Sequence, residues 1–398
     1  MGTGDARLPI AIAALSILGL IIGGCATEPR VPFTEAQQNA AVPSGMPPNV
    51  RFWADAPSSV LRSDARPPIA TKGEPFIYLA LSGGGGGGAY GAGVLNGWTD
   101  AGTRPEFTVV SGVSTGALIA PFAFLGPAYD PTLKQIYTSG EAENALRDPS
   151  PLGALFGSGL YGRGRLRRMV EQYVDDNLLQ AIAQEDGKGR RLLVVTTDLD
   201  SQRTVIWDMG AIASSKAPNA YKLFRDVLAA SASIPVVFSP QLIDVAGNDH
   251  PFQEMHVDGT VSKAIFTLPD VFLFGAKSPI AHRTRPILYM IVNSHIDPSF
   301  EEVPQQAEAI AMRTFATMNR ANTLAVLAQT YNASRRDGFS FNLSYVGRDM
   351  PEGGGTGFET EHMRALYRYG YDKARTSSLW EAKPPQVEVK EAAETAAR

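Results

Sequence analysis

From residue 76 onward the chain alternates between two hydrophobic rhythms. FIYLAL at 76–81, FTVVSG at 107–112, RLLVVTTDLD at 191–200 and RPILYMIVN at 285–293 are short, nearly continuous apolar runs. Runs of this length, rich in β-branched and aromatic residues, predict strands buried on both faces. Between them lie segments of helical spacing at 88–102, 115–126, 163–183 and 219–232. Strand expectations continue with RTVIWD at 203–208, IPVVFSPQLI at 234–243, FQEMHV at 252–257 and FSFNLSYVG at 339–347, and helices are expected at 303–334 and 361–375. Apolar strands alternating with helices predict an α/β layer fold with a mainly parallel central sheet flanked by helices. No internal repeat interrupts this rhythm, so residues 76–375 are read as one domain.

The flanking regions read differently. Residues 26–75 are dense in proline and lack periodicity, which suggests a tether, with Val50, Arg51, Phe52 and Trp53 docking onto the domain. Residues 376–398 are polar and are expected to form a disordered tail.

With 44% hydrophobic and 19% charged residues in 398, the chain can build a sizeable core. A formal net charge of -4 offers no basic footprint, which argues against a nucleic-acid partner. The one cysteine, Cys25, excludes an intramolecular disulfide. It follows Arg7 and an apolar stretch, 8–24, that fits a secretory signal and is short for a spanning helix. The ending Ile22-Gly23-Gly24-Cys25 resembles a bacterial lipobox, which implies that 1–24 is removed and that Cys25 is lipidated as the membrane anchor. Ala26 after it resembles an outer-membrane sorting signal, so the domain is expected in the cell envelope, facing the periplasm. An uncleaved membrane anchor is the alternative. Ala6 at the sixth position excludes N-myristoylation.

Two glycine-rich stretches carry candidate chemistry. Gly112-Val113-Ser114-Thr115-Gly116 lies between an expected strand and an expected helix, the context of a nucleophile elbow. A serine there sits where free amides and the helix dipole favour an oxyanion. Six glycines at 83–88 also follow a strand and open a helix, so their amides could cradle an anion. A P-loop is excluded because no Gly-Lys-Ser/Thr follows, and a dinucleotide fingerprint lacks the acidic residue that should end a second strand.

In this order these residues resemble the patatin-like phospholipase family, whose members show a G-G-G-x-Arg/Lys-G loop, a G-x-S-x-G serine and an Asp-Gly pair. Here Gly83, Gly84 and Gly85 open the loop and Gly88 closes it, Gly112 and Gly116 flank Ser114, and Asp258-Gly259 supplies the pair. Thr196-Thr197-Asp198-Leu199 and Ala230-Ser231-Ala232-Ser233-Ile234-Pro235 agree as well, so the resemblance covers about 76–292. It implies a three-layer fold and a dyad without histidine: Ser114 as nucleophile, Asp258 as base, and the amides of Gly84, Gly85 and Gly86 as oxyanion hole. It further implies a lipid or other acyl-ester substrate and no cofactor. The chain departs from the pattern at Gly87, where the family carries a cation, and in a minor way at Thr260.

Two other readings stay open at this point. An α/β-hydrolase would use a Ser-Asp-His triad, drawing on His250, His256, His282, His295 or His362. A lipoprotein that binds lipid or a partner without catalysis would account for the missing cation. The arginines at 163, 165, 167 and 168 could meet anionic headgroups, but Arg167 and Glu171 stand at ion-pair spacing on a helix. Asp198 and Asp200 read as turn formers, and no run of His, Cys and Asp has metal-ligand spacing. The long helix at 303–334 could cover an acyl pocket or simply pack on the sheet.

Overall fold

A computed structural model describes residues 30–59, 75–146, 164–276, 286–350 and 357–385. Among the described residues there are ten strands, β1 (Val42–Pro43), β2 (Arg51–Trp53), β3 (Ile77–Leu81), β4 (Val109–Val113), β5 (Arg191–Asp198), β6 (Arg203–Asp208), β7 (Gln241–Gly247), β8 (His250–Asp258), β9 (Ile287–His295) and β10 (Ser340–Val346). They form one sheet in the order β1-β7-β8-β5-β4-β3-β9-β10, with β6 also on β5 and β2 on β6.

Strands β5, β4, β3, β9 and β10 are mutually parallel. The remaining pairings are antiparallel, so the sheet is mixed, with its parallel block at one side and hairpins at the other. Every residue of β3 and β4 is buried, as their unbroken apolar runs require. Leu79 and Leu81 enter the core on one face, Tyr78 and Ala80 that on the other.

The first face is covered by α2 (Gly88–Asp100), α3 (Thr115–Leu125), α6 (Arg165–Tyr173), α7 (Asp176–Gly187), α9 (Ala220–Ser231) and α12 (Thr360–Ala374), and the second by α10 (Asp270–Phe274) and α11 (Ala307–Asp337). Short helices α1 (Glu35–Asn39), α4 (Asp130–Thr138), α5 (Glu141–Ala145) and α8 (Met209–Ser214) complete the layers. Helices on both faces of a central sheet make a three-layer α/β architecture.

Three stretches differ from the sequence expectation. The strand expected at 234–243 begins only at Gln241. Pro235 lacks a ladder donor, Val236 has a φ of 73°, and the Phe238 amide turns back to the Ile234 carbonyl at 2.9 Å. Within the expected tail, Leu379 is buried, Trp380 packs edge-on against Trp98, and Glu381 exchanges backbone hydrogen bonds with Leu343. Within the expected tether, residues 30–59 contribute two strands to the sheet: β2 at 51–53, where docking is expected, and β1, where none is. Cys25 and the signal stretch lie outside the described residues, as do Arg163, His282 and 386–398. No helix among the described residues is long and apolar enough to cross a membrane.

Candidate active site

Ser114 stands at the sharp turn from β4 into α3, with φ 54° and ψ -124°. A left-handed conformation at a non-glycine residue costs on the order of 1–3 kcal/mol and persists only where the surroundings enforce it. Here they do. A Cβ at Gly112 would lie 2.3 Å from the Gly116 carbonyl oxygen, and one at Gly116 would lie 2.5 Å from that of Leu81, so both glycines are needed for the turn to close on β3. The Ser114 amide donates to Ser231 Oγ at 3.0 Å, and that hydroxyl donates onward to the Val195 carbonyl at 2.6 Å. The serine backbone is thereby tied to α9 and to β5.

Asp258 ends β8, fully buried, and its Oδ2 accepts the Ser114 hydroxyl at 2.6 Å. Its Oδ1 accepts two bonds from Thr260, the amide at 2.8 Å and the hydroxyl at 2.7 Å. Burial pushes the carboxyl up to about 6, with the hydrogen bonds from Ser114 and Thr260 holding it from rising further. The group is thus ionised at neutral pH yet far more basic than an exposed aspartate. Gly259 allows the strand end to lie against β5: a Cβ there would be 2.5 Å from the Val195 carbonyl oxygen.

The glycine run folds into a tight turn between β3 and α2. The Gly83 amide donates to Ala264 O, that of Gly87 to Gly84 O, and that of Gly88 to the carbonyls of Gly85 and Gly86. The amides of Gly84, Gly85 and Gly86 take no part in these bonds. Gly83 packs on Ser114 and Thr260: its Cβ would lie 2.2 Å from Thr260 Cγ2 and 3.2 Å from Ser114 Cβ. Gly85 and Ser114 line the same cavity, of about 410 Å³. Its other walls are almost wholly apolar, with Leu118, Leu166, Met169, Ile234, Phe238 and Phe358 among them. A second cavity of about 520 Å³ shares Leu118, Leu166 and Met169. Helix α11 lines neither, so the pocket cover considered for 303–334 falls instead to α3, α5 and α6.

The departure at Gly87 has a steric cause. A Cβ there would lie 2.1 Å from the Asn293 carbonyl oxygen, and one at Gly84 would meet the same atom at 2.1 Å. Asn293 on β9 also holds Ser82, its amide donating to Ser82 Oγ at 2.8 Å and its Nδ2 to Ser82 O at 2.7 Å. In this chain the loop is fixed by close approach to Asn293 where the family pattern has a long cationic side chain.

The structure brings Ser114, Asp258 and the glycine loop together and leaves the histidines apart. Among the described residues none bonds to Ser114 or Asp258. His256, on the same face of β8, has Nδ1 3.0 Å from Thr196 Oγ1 and Nε2 3.3 Å from Glu254. Arg167 pairs with Glu171 at 3.0 Å, as the helical spacing predicts, and also approaches Asp226. Asp198 forms its turn by accepting the amides of Asp200 and Ser201. Together with Glu254 and His256 it also forms a buried group, with ligand-type atoms within 4.8 Å of one another, that no spacing along the chain announced. Arg51 and Gln38 already occupy the carboxylates of Glu254 and Asp198.

Sequence reasoning passed over Ser231, Asn293 and the role of Thr260. Ser231 and Thr260 stand inside or beside stretches that had been singled out. A hydroxyl immediately after an Asp-Gly turn is the signal that could have exposed Thr260.

No curated protein sequence matches the chain. Among solved structures, VipD from Legionella pneumophila is 12% identical, with 75% of this chain and 66% of that chain covered and a TM-score of 0.35. The type III effector protein ExoU is 12% identical, with 77% and 54% covered and a TM-score of 0.29. Human GIVD cytosolic phospholipase A2, solved with methyl gamma-linolenyl fluorophosphonate, is 12% identical, with 76% and 58% covered and a TM-score of 0.29. The chain therefore spans less than two thirds of the length of each of them. The family model described as patatin-like phospholipase matches residues 79–269, a span that holds the glycine loop, Ser114 and Asp258.

Proposed function

We propose that the chain is a membrane-tethered serine acyl-ester hydrolase acting on lipid, with Ser114 and Asp258 as its catalytic dyad. Ser114 Oγ attacks the ester carbonyl carbon while its proton passes to Asp258 Oδ2. The amides of Gly84, Gly85 and Gly86 receive the developing oxyanion. Collapse breaks the bond to the leaving alcohol, which takes the proton back from Asp258 and leaves an acyl-serine. A water then attacks the acyl carbon as its proton passes to Asp258, and collapse breaks the bond to Ser114 Oγ, which takes that proton back as the carboxylic acid leaves.

The observation that carries this reading is the direct 2.6 Å hydrogen bond from Ser114 Oγ to a buried Asp258. A carboxylate is a weak base for an alcohol in water. Here burial lifts it to about 6, and Thr260 keeps the oxygen that does not face Ser114 engaged. The apolar walls of the cavity beside Ser114 suit an acyl chain better than a polar group.

Turnover of a panel of p-nitrophenyl esters and phospholipids by the wild type, Ser114→Ala and Asp258→Asn tests the dyad. Loss in both variants is expected, and wild-type turnover in either overturns it. The tether rests on Cys25: Cys25→Ser should move the protein from the membrane to the soluble fraction, and unchanged partitioning would refute lipid anchoring there.

A further inference from the structure

The residues ahead of the family-matched span are not loosely attached to it. Arg30 grips Asp200 with two bonds of 2.6 and 2.7 Å, and Phe33 stacks on Phe252 with ring centroids 4.2 Å apart. Gln38 donates to buried Asp198 at 2.7 Å, β1 pairs with β7, and β2 pairs with β6. The most deeply set contact is that of Arg51, on β2. Its guanidinium makes a two-point contact with Glu254, with Nη2 3.0 Å from Oε1, and lies 5.4 Å from the Trp207 ring centroid.

Glu254 is fully buried on β8, and side chains at alternate positions of a strand share a face, so Glu254, His256 and Asp258 form one row. A chain of hydrogen bonds runs from Glu254 through His256 to Thr196. Glu254 meets His256 Nε2, His256 Nδ1 meets the Thr196 hydroxyl, and that hydroxyl also accepts the Trp207 indole N–H at 2.8 Å. Thr196 is the residue directly opposite Asp258 across the β5–β8 pairing. Burial alone would push the Glu254 carboxyl up, but Arg51, with help from His256, holds it down at about 2. Without Arg51 a buried carboxylate would lose the cation that keeps it charged, four residues from Asp258 on the same strand.

We propose that residues 30–59 are a working part of the active site, with Arg51 as a positioning residue that acts through Glu254, His256 and Thr196 to fix the end of β8 carrying Asp258. This rests on the reading of Asp258 as the base. It also gives the proline-rich segment a second role besides spacing the domain from a membrane.

The test uses the full chain with p-nitrophenyl butanoate as substrate, active sites being counted with a fluorophosphonate. Displacing a reacting group by about 1 Å can cost roughly 100-fold. Arg51→Met is therefore expected to lower kcat per labelled site about 10- to 100-fold, with KM within about twofold. Arg51→Lys keeps the charge but loses the two-point fork, so it should lose about three- to tenfold. A purely structural role would lower the unfolding temperature and leave kcat per labelled site unaltered. Folded Arg51→Met or Arg51→Lys with kcat within about twofold of wild type overturns the proposal, and if the Met variant does not fold the Lys variant decides. If Ser114→Ala or Asp258→Asn keeps wild-type turnover, the dyad itself has failed. If both are dead while the Arg51 variants are normal, only the positioning role has.

Discussion

Replacing Thr260 by valine keeps the shape of the side chain and removes one hydrogen bond to Asp258, the proposed general base. The shape matters because Cγ2 of Thr260 packs where a Cβ on Gly83 would stand, at 2.2 Å, so the methyl must stay. The bond lost is the 2.7 Å donation from Oγ1 to Asp258 Oδ1, while the 2.8 Å bond from the Thr260 amide remains. A hydrogen bond to an ionised group is worth about 1.5–3 kcal/mol, and each pH unit corresponds to about 1.36 kcal/mol. The Asp258 carboxyl, at about 6 in the wild type, should therefore move to about 7–8. Only the ionised carboxylate accepts a proton. At pH 7 the competent fraction should fall from about nine tenths to between a half and a tenth, lowering kcat/KM roughly 2- to 10-fold, with recovery above about pH 9. The assay is the pH profile of kcat/KM on a soluble p-nitrophenyl ester, read from its acid limb. An acid limb that stays within about 0.3 pH unit of wild type in a folded variant would refute the role given to Thr260.

Other expectations follow from the same site. A carboxyl whose folded pKa is raised costs stability once ionised, fully above about pH 6, decreasingly down to its ordinary 3.8, and not below. Asp258→Asn should thus unfold later than wild type at pH 7, by on the order of 3 kcal/mol, with the advantage gone near pH 3.5; chemical denaturation at both pH values checks this. Gly87→Arg, which restores the family pattern, should lower both the unfolding temperature and activity, because its Cβ would meet the Asn293 carbonyl oxygen at 2.1 Å. A more active and equally stable variant would contradict that steric account. Ser231→Ala removes the acceptor of the buried Ser114 amide and should cost about 1–3 kcal/mol of stability, measured in urea, together with a fall in kcat.

The parallel block was legible because its strands are apolar on both faces, and β3, β4 and β9 lie where unbroken hydrophobic runs predict. The proposed dyad was legible through the resemblance that an ordered set of motifs carries, although the approach of Ser114 to Asp258 across 144 positions is a property of the fold alone. What stayed hidden depends on side chains whose partners are remote. Arg51 lies in a proline-rich stretch of tether-like composition, and only the pairing of β2 with β6 brings it to Glu254, 203 residues away. Asn293 is one polar residue at the end of an apolar run, and its carbonyl supports the glycine loop only because β9 neighbours β3. Residues 234–240 read as strand from composition because the pattern does not weigh the backbone limits set by Pro235 and Pro240. The length of the glycine run also acquires a reason: Gly84 and Gly87 both lie against Asn293, and Gly86 against the Gly357 carbonyl, where a Cβ would come within 1.8 Å.

Peptide mapping by mass spectrometry after reaction with an alkyl fluorophosphonate tests the central claim most directly. The account predicts a single phosphonylated residue, Ser114, with labelling strongly slowed in Asp258→Asn. An adduct on another residue, or none on the folded wild-type protein, would contradict it.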